Sequence, residues 1–273
     1  MNRKLNNDIQ IPILGFGTWK ISDLDASDAV KVAIETGYRH IDTAAIYNNE
    51  NGVGDGIKRS KVNRDDLFVT TKLWLEVATY KDSLKAFEKS CKLLKTDYVD
   101  LYLIHWPTKH FTEQWRAMEE LYFEGKIKAI GVSNFNQNHL DDLFINAQVL
   151  PTVNQIEMHP RLTQKDLLNY NTKKKIQTVS WSPLMRGRIF EIKELNELAD
   201  KYNKSIAQVV LRWHLQNGVV TIPKSSNNER IKENYQIFDF VLDEKDIIVI
   251  DNLNTNERTG ADPETFASIN FNL

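Results

Sequence analysis

The sequence has little of what would direct a protein to a nucleic acid, to a membrane or out of the cell. Its 37 acidic and 35 basic side chains give a net charge of −2, without a basic block that could follow the phosphates of a nucleic acid or an anionic membrane. Residues 1–14 lack the apolar stretch of a signal peptide, and no later segment has the ~18 apolar residues of a membrane span. We therefore expect a cytoplasmic protein that binds neither nucleic acid nor membrane.

Cysteine and metal-ligand spacings are also scarce. The single cysteine, Cys91, agrees with a reducing compartment and lies in a segment with helical periodicity, where core packing is its expected role. Histidine, cysteine and carboxylate side chains nowhere show the HExxH or CxxC spacing of a metal site. We expect no bound metal ion.

Linker-like segments and nucleotide-binding glycine motifs are missing as well. Proline, glycine and serine are scattered, so nothing marks an internal boundary, and a 41% hydrophobic share of 273 residues can support one full core. A doubly wound dinucleotide fold would open with G-x-G-x-x-G after a strand, whereas the glycine string of residues 52–56 has the wrong spacing and lies early in a predicted helix. We expect one domain over residues 1–273.

What the sequence does contain is a regular alternation of strand-like and helical patterns. Helical periodicity separates most of the strand-like runs, for example over residues 25–36, 80–94, 113–124 and 164–174. The seventh interval is longer and holds two helical patterns. The sequence therefore predicts an α/β fold, an eight-stranded parallel (β/α)8 TIM barrel with an extra helix between strands seven and eight and a C-terminal helix and tail. The strand-like runs begin near Ile13, Arg39, Leu67, Tyr98, Ala129, Thr152, Gln177 and Val219.

Four polar residues, Asp42, Tyr47, Lys72 and His105, stand at or just beyond strand ends in three consecutive β/α units. Parallel strands place their carboxyl ends on one face, so these side chains should meet. Taken alone, each is better explained as a cap, turn or packing residue, although Lys72 is less easily explained in this way, because an unpaired ammonium among apolar neighbours would be costly. A buried lysine beside a tyrosine lowers the pKa of the phenol, and an aspartate keeps that amine charged. Together they predict a proton donor and acceptor near neutral pH.

Three ordered motifs resemble those of the aldo-keto reductases. The motifs are Gly37-Tyr38-Arg39-His40-Ile41-Asp42-Thr43-Ala44, Gly131-Val132-Ser133-Asn134-Phe135 and Ile222-Pro223-Lys224-Ser225. The likeness extends from Gly15 to Phe266, and the tail over 260–266 resembles that of the bacterial 2,5-diketogluconate reductase branch. The family is an eight-stranded barrel that transfers hydride from a nicotinamide to a carbonyl. The resemblance therefore implies an NADPH-dependent reductase of small aldehydes, ketones or dicarbonyls.

Carried over residue by residue, the resemblance gives the four strand-end residues catalytic roles. It makes Tyr47 the general acid in reduction, polarised by Lys72, which pairs with Asp42. His105 would orient the substrate carbonyl. Hydride attack builds negative charge on the carbonyl oxygen, and preorganised donors would stabilise that charge.

The resemblance also assigns residues to the nicotinamide half of the cofactor. Ser133, Asn134 and Gln155 match positions that hydrogen-bond the carboxamide, although any one of them alone could be a strand-end cap. Trp181 would stack on the nicotinamide ring, where many relatives have tyrosine. The other cofactor contacts implied here are Thr18 and, with backbone groups near the pyrophosphate, Ser182 and Leu184.

A polar segment after the last predicted strand is assigned to the other half of the cofactor. Lys224, Ser225 and Arg230 would hold the 2′-phosphate of NADPH, since anions suit a helix start. Glu233 and Asn234 share a helical face with Arg230 and would meet the adenine. The alternative for such a charge run is a solvated helix face. We expect NADPH to be preferred over NADH.

Trp19, Trp74 and Trp106 follow the first, third and fourth predicted strands and with Tyr47 could form an aromatic substrate pocket. The alternative is ordinary packing at the barrel end. The loop over 107–112 and the tail after the last helix are short, which predicts an open site that accepts a broad range of small carbonyl compounds.

Two other classes of function stay open from the sequence. A nucleotide-sensing binding module of the same fold would bind the cofactor with little turnover, and a crystallin-like structural protein would not require all four catalytic residues. We expect a reductase that works as a monomer, with a weak homodimer as the alternative.

Overall fold

Eight parallel strands form a closed barrel in the computed structural model, which describes residues 1–266. Each strand pairs with the next along the chain, and the first and last strands meet through parallel bridges between Leu14 and Thr221 and between Gly17 and Lys224. The predicted (β/α)8 barrel is confirmed. Its strands are β3 (Phe16–Gly17), β4 (His40–Asp42), β5 (Phe68–Leu73), β6 (Leu101–Ile104), β7 (Ile130–Ser133), β8 (Val153–Glu157), β9 (Gln177–Trp181) and β10 (Val220–Thr221).

An antiparallel hairpin of β1 (Asn2–Lys4) and β2 (Gln10–Pro12) precedes the barrel and was not predicted from the sequence. The side chains of Asn6 and Asn7 donate hydrogen bonds to the carbonyl groups of Pro151 and Lys128, which lie just before β8 and β7. The hairpin therefore covers the end of the barrel at which the strands begin. Its apolar side chains join an interior cluster made of Leu5, Ile11, Phe68, Leu101, Leu103, Ala129, Val153, Val179, Val220 and Ile222.

The alternation of side chains along β5 places a lysine inside the barrel. Phe68 belongs to the interior apolar cluster, Thr70 contacts the ring of His40, and Lys72 contacts Asp42. Successive side chains of a strand point to opposite faces, so residues 68, 70 and 72 share the inner face. The barrel interior is thus apolar where the strands begin and polar where they end.

Ten α-helices surround the barrel within residues 1–266. The helix that starts at Tyr80 and ends at Leu94 has the predicted bounds, because Thr79 caps it by accepting a hydrogen bond from the amide of Asp82. Two helices lie between β9 and β10, which confirms the extra helix, and a 3₁₀ segment, Met185–Glu191, precedes them without any sequence signal. None of the described helices is both long and apolar enough to cross a membrane. The helices are α1 (Asp23–Thr36), α2 (Glu50–Ser60), α3 (Tyr80–Leu94), α4 (Phe111–Phe123), α5 (Gln137–Asn146), α6 (Lys165–Lys173), α7 (Lys193–Tyr202), α8 (Ile206–Gln216), α9 (Asn228–Tyr235) and α10 (Glu244–Asp251).

The glycine string lies in α2, as expected, and allows that helix to approach α1 closely. A β-carbon on Gly52 would lie 1.8 Å from the carbonyl oxygen of Asp23, and one on Gly56 would lie 2.7 Å from that of Ser27. Any larger residue would force the two helices apart. These glycines serve packing next to the site loops and not phosphate binding.

Candidate active site

Lys72 is the centre of the polar cluster at the carboxyl end of the barrel. Its side chain is fully buried, and its Nζ lies 2.6 Å from Oδ1 of Asp42 on the neighbouring strand. Nζ also donates to the carbonyl oxygen of Thr43 at 2.8 Å and lies 3.5 Å from the hydroxyl of Tyr47. A short 3₁₀ turn, Ala45–Tyr47, follows β4 and carries the tyrosine back over the lysine. The structure therefore brings the predicted Asp42, Tyr47 and Lys72 together.

The charge of Asp42 keeps Lys72 protonated. Burial by itself lowers the pKa of Lys72, but the carboxylate of Asp42 and the hydroxyl of Tyr47 outweigh burial, and the net pKa lies above its usual value. The second oxygen of Asp42, Oδ2, accepts a hydrogen bond from Nε2 of Gln155 at 2.7 Å. Both oxygens of this buried carboxylate thus have partners, as a charge inside a protein requires.

The sequence predicted a lowered pKa for the phenol of Tyr47, and this prediction is wrong, because the net pKa is raised. Burial raises the pKa of Tyr47, and Lys72 lowers it by a smaller amount, while Asp42 raises it further. Lys72 therefore acts in the expected direction without cancelling the desolvation of the phenol. At neutral pH Tyr47 is a protonated phenol, which is the form that a proton donor needs.

His105, one residue beyond β6, is a neutral ring beside the tyrosine. Its ring centroid lies 5.7 Å from that of Tyr47 and 5.1 Å from that of Trp74. Burial and the charge of Lys72 hold the pKa of His105 well below its usual value. Nδ1 is buried and has no hydrogen-bond partner in the described part of the chain, so the ring proton is better placed on Nε2. The neutral imidazole can then donate one hydrogen bond into the cavity that it lines.

A single cavity of about 1030 Å³ connects this cluster with the other predicted site residues. Asp42, Tyr47 and His105 line it, while Lys72 lies behind them. All of the predicted cofactor and substrate residues line the same cavity. These are Thr18, Trp19, Trp74, Trp106, Ser133, Asn134, Gln155, Trp181, Ser182, Leu184, Lys224, Ser225, Arg230, Glu233 and Asn234.

A hydrogen-bond network holds Trp181 in the wall of the cavity. Its indole Nε1 donates to Oδ1 of Asn134 at 2.8 Å. The amide of Asn134 donates in turn to the carbonyl oxygen of His105 at 3.0 Å and to Oγ of Ser133 at 3.1 Å. Asn134 has a left-handed backbone, with φ at 63°, a conformation that asparagine tolerates better than most residues. The bond between Asn134 and Trp181 had no signal in the sequence.

One end of the cavity is positively charged. Arg230 lies in the first turn of α9, where the side chain of Asn227 caps the helix by accepting a bond from the Arg230 amide at 3.0 Å. Burial lowers the pKa of Lys224, and so does the charge of Lys20. Two more cationic side chains, those of Lys20 and Arg186, line the cavity and were not predicted from the sequence. Nζ of Lys20 lies 4.6 Å and Cζ of Arg186 lies 4.8 Å from the ring centroid of Trp19. This end suits an anionic ligand.

The wall beside His105 is apolar. Trp74 packs against the His105 ring, and the ring of Trp106 lies 4.2 Å from that of Phe266 in the C-terminal tail. Ile46 lines the same cavity next to Tyr47. Ile46 had no local sequence signal, and Phe266 was part of the tail motif but was not predicted to line the site. Within residues 1–266, no group of three or more histidine, cysteine, aspartate or glutamate side chains is placed to hold a metal ion.

A closed (β/α)8 barrel with a buried Asp–Lys–Tyr cluster at the carboxyl ends of its strands is the framework of a barrel carbonyl reductase. The chain matches the Aldo/keto reductase family over residues 13–255 and belongs to that family. It is 53% identical to the glyoxal reductase of Bacillus subtilis (strain 168) over 96% of this chain and 95% of the relative. It is 47% identical to the methylglyoxal reductase DkgA of Escherichia coli (strain K12) over 96% of this chain and 97% of the relative.

Solved structures agree with this assignment. The fold matches an aldo-keto reductase of Bombyx mori in complex with NADP with a TM-score of 0.92 and 35% sequence identity, over 97% of this chain and 96% of that chain. The family and the barrel inferred from the sequence motifs are therefore confirmed. The narrower likeness to the 2,5-diketogluconate reductase branch stays a prediction.

Proposed function

We propose that the protein is an NADPH-dependent reductase that converts small aldehydes, ketones or dicarbonyls to alcohols. The observation that carries this proposal is the buried Lys72, which is held by Asp42 and lies 3.5 Å from the hydroxyl of Tyr47 at the cavity wall. Such a cluster has no structural purpose that an apolar core could not serve better, because burying a charge is costly. Placed at a cavity, it supplies a positioned proton.

The cavity fits the cofactor that the resemblance implies. Its positive end, with Lys224, Ser225 and Arg230, suits the 2′-phosphate, while Glu233 and Asn234 lie on the same helix for the adenine. Ser133, Asn134 and Gln155 would position the carboxamide, with Trp181 under the nicotinamide. When bound, NADPH supplies a hydride to the carbonyl carbon. A relative of this fold has been solved with NADP, which supports the same assignment here.

The chain's own residues supply the proton and the orientation. Tyr47 transfers its phenolic proton to the carbonyl oxygen as that oxygen gains negative charge, and solvent returns a proton to Tyr47 afterwards. Lys72 stabilises the transient phenolate, and Asp42 keeps Lys72 charged and in place. Nε2–H of His105 donates to the same carbonyl oxygen and orients it. The products are the alcohol and the oxidised cofactor.

Small neutral carbonyl compounds fit the apolar wall best. Ile46, Trp74, Trp106 and Phe266 line the cavity together with His105, and none of them carries a charge that could form an ion pair with a substrate carboxylate. Two relatives are named for glyoxal and methylglyoxal, which are small neutral dicarbonyls. We propose the same substrate class for this protein, acting as a cytoplasmic monomer of one domain over residues 1–273.

The test is NADPH oxidation with a panel of glyoxal, methylglyoxal, an aromatic aldehyde, a keto ester and diketogluconate. We expect turnover with the neutral compounds and a lower kcat/KM with the carboxylate. Tight NADPH binding without turnover on any of them would favour the nucleotide-sensing alternative. A preference for diketogluconate would contradict the proposed substrate class.

A further inference from the structure

Glu157, the last residue of β8, is a buried carboxylate that the catalytic cluster does not use. Its exposed fraction is 1%. Oε1 accepts hydrogen bonds from the amide of Thr259 at 2.6 Å, from Oγ1 of Thr259 at 2.5 Å and from the amide of Gly260 at 3.1 Å. Oε2 accepts from the same Gly260 amide at 3.2 Å. One carboxylate inside the barrel mouth therefore holds two consecutive residues of the C-terminal tail.

The surroundings of Glu157 keep it charged. Burial raises the pKa of Glu157, but hydrogen bonds from His159 and from both donors of Thr259 outweigh burial and lower the net pKa. Nε2 of His159 lies 3.1 Å from Oε1, and the guanidinium of Arg258 lies 4.0 Å from Oε2. A charged acceptor makes stronger hydrogen bonds to the tail than a neutral one would.

The segment that Glu157 holds lies directly on Trp181. A β-carbon at position 260 would be 2.3 Å from Cη2 of the Trp181 indole and 3.0 Å from its Cζ3, so the backbone of Gly260 is in contact with the ring. The opposite side of the same indole is held by Asn134 through Nε1. The indole is thus fixed at two ends, by a side chain from β7 and by the tail.

The tail continues from this contact along the cavity. Ala261 and Phe266 line the cavity, and Phe266 packs on Trp106. A second carboxylate, Glu264, bonds the side chain of Asn136 beside α5. Residues 258–266, which we name the tail segment, therefore run along the cavity from Glu157 to Asn136.

We propose that Glu157 is a positioning residue for carbonyl reduction, which acts through Thr259 and Gly260 to fix the indole of Trp181. This inference rests on the proposed function, because that function places the nicotinamide on Trp181. Loss of the carboxylate releases the tail segment, and the indole then loses one of its two supports. A small misplacement of a reacting group lowers the rate of the chemical step more than it lowers affinity.

The test compares two variants that alter the contact between the tail segment and the Trp181 indole, one at Glu157 and the other at Gly260. Glu157→Gln keeps the shape of the side chain but removes its charge and one of its two acceptor oxygens. Gly260→Ala keeps the carboxylate and places a β-carbon 2.3 Å from the indole and 3.3 Å from Oε2 of Glu157. We expect each variant to lower kcat for methylglyoxal by about tenfold to a hundredfold, with a smaller change in NADPH affinity. Thr259→Val, which removes only the Oγ1 donor and keeps both amide donors, should lose less.

The double variant separates positioning from general stability. If both residues act on the same indole, Glu157→Gln combined with Gly260→Ala should cost less than the product of the two single losses. Rates are taken per NADPH-binding site, so that a loss of folded protein does not count. The quenching of tryptophan fluorescence by NADPH should also change in both single variants.

The outcomes distinguish this inference from the proposed function. Wild-type kcat per site in Glu157→Gln would overturn the inference, and so would single losses that multiply independently, while the wild-type protein remained an active reductase. A wild-type protein that binds NADPH without reducing any carbonyl would instead overturn the proposed function. If Glu157→Gln does not fold, Thr259→Val decides, because it removes one hydrogen bond to the Glu157 carboxylate and should still lower kcat per site, whereas a wild-type kcat per site in Thr259→Val would then overturn the inference.

Discussion

Nζ of Lys72 lies 3.5 Å from the hydroxyl of Tyr47, whereas it lies only 2.6 Å from Oδ1 of Asp42. The first distance is at the outer limit of a hydrogen bond, and the second is that of a short charge-assisted contact. Lys72 therefore influences the phenol mainly through its charge. This relationship allows the roles of the two residues to be separated by mutation.

Tyr47→Phe removes one hydroxyl, the proposed proton donor. General acid catalysis typically contributes ~10² to 10⁴ in rate, so kcat should fall by at least the lower figure, with NADPH affinity nearly intact. Steady-state kinetics and a cofactor titration on the same sample measure both quantities. Tyr80→Phe, which changes a half-buried tyrosine outside the cavity, is the matched control. A near-normal kcat in Tyr47→Phe would reject this tyrosine as the acid.

Lys72→Met should nearly abolish reduction and shift the pH profile of the remaining activity. Reduction needs the protonated phenol, so activity falls as pH rises through the pKa of Tyr47. Lys72 acts to lower that pKa, so its removal should move the basic limb to higher pH. The rate falls nevertheless, because a phenol of higher pKa is a weaker acid and its phenolate has lost its counter-charge. An unchanged rate and pH profile would rule out the coupling between the two residues.

Much of this site could be predicted because its signals are local. Lys72 is the penultimate residue of a fully buried strand, and the alternation of side chains along β5 is enough to place it inside a barrel. Asp42 ends β4 and His105 follows β6, the two strands on either side of β5, and any parallel barrel brings these ends to one face. The motifs that resemble the aldo-keto reductases then implied the roles of these residues.

The features of the fold and of the site that could not be predicted from the sequence depend on contacts between distant parts of the chain. Glu157 and Thr259 are 102 residues apart, and no periodicity relates a strand end to a tail. The same holds for the bond between Trp181 and Asn134, and for the two N-terminal strands that cover the barrel. The net pKa shift of Tyr47 could not be predicted either, because it depends on how completely the folded chain removes water from the phenol.

His40 should make the protein sensitive to mild acid. It is buried in the barrel against Thr70, and burial lowers its pKa to about 4. A group whose folded pKa is lowered contributes stability above its unfolded pKa, about 6.5, and loses it as pH falls toward the folded value. Between pH 7 and pH 5 the loss from this group is about 2 kcal/mol.

Urea unfolding of the wild type and of His40→Gln at pH 7 and pH 5 measures this contribution. We expect the free energy of unfolding to fall by about 2 kcal/mol more in the wild type than in the variant, whatever the absolute stability of each protein. Equal losses in the two proteins would show that His40 takes up its proton in the folded state as readily as in the unfolded chain.

Arg230→Ala should weaken NADPH binding without affecting NADH. The side chain lines the positive end of the cavity from the first turn of α9, where the proposed ligand is the 2′-phosphate that NADH lacks. A hydrogen bond to a charged group contributes roughly 1.5 to 3 kcal/mol, so the loss should be about tenfold to a hundredfold in Kd. Fluorescence titration of both proteins with both cofactors provides the measurement. Lys232→Ala is the matched control, since it removes a cation from the same helix that pairs with Glu229 outside the cavity. Equal losses for NADPH and NADH in Arg230→Ala, or the same NADPH loss in the control, would mean that Arg230 does not recognise the 2′-phosphate.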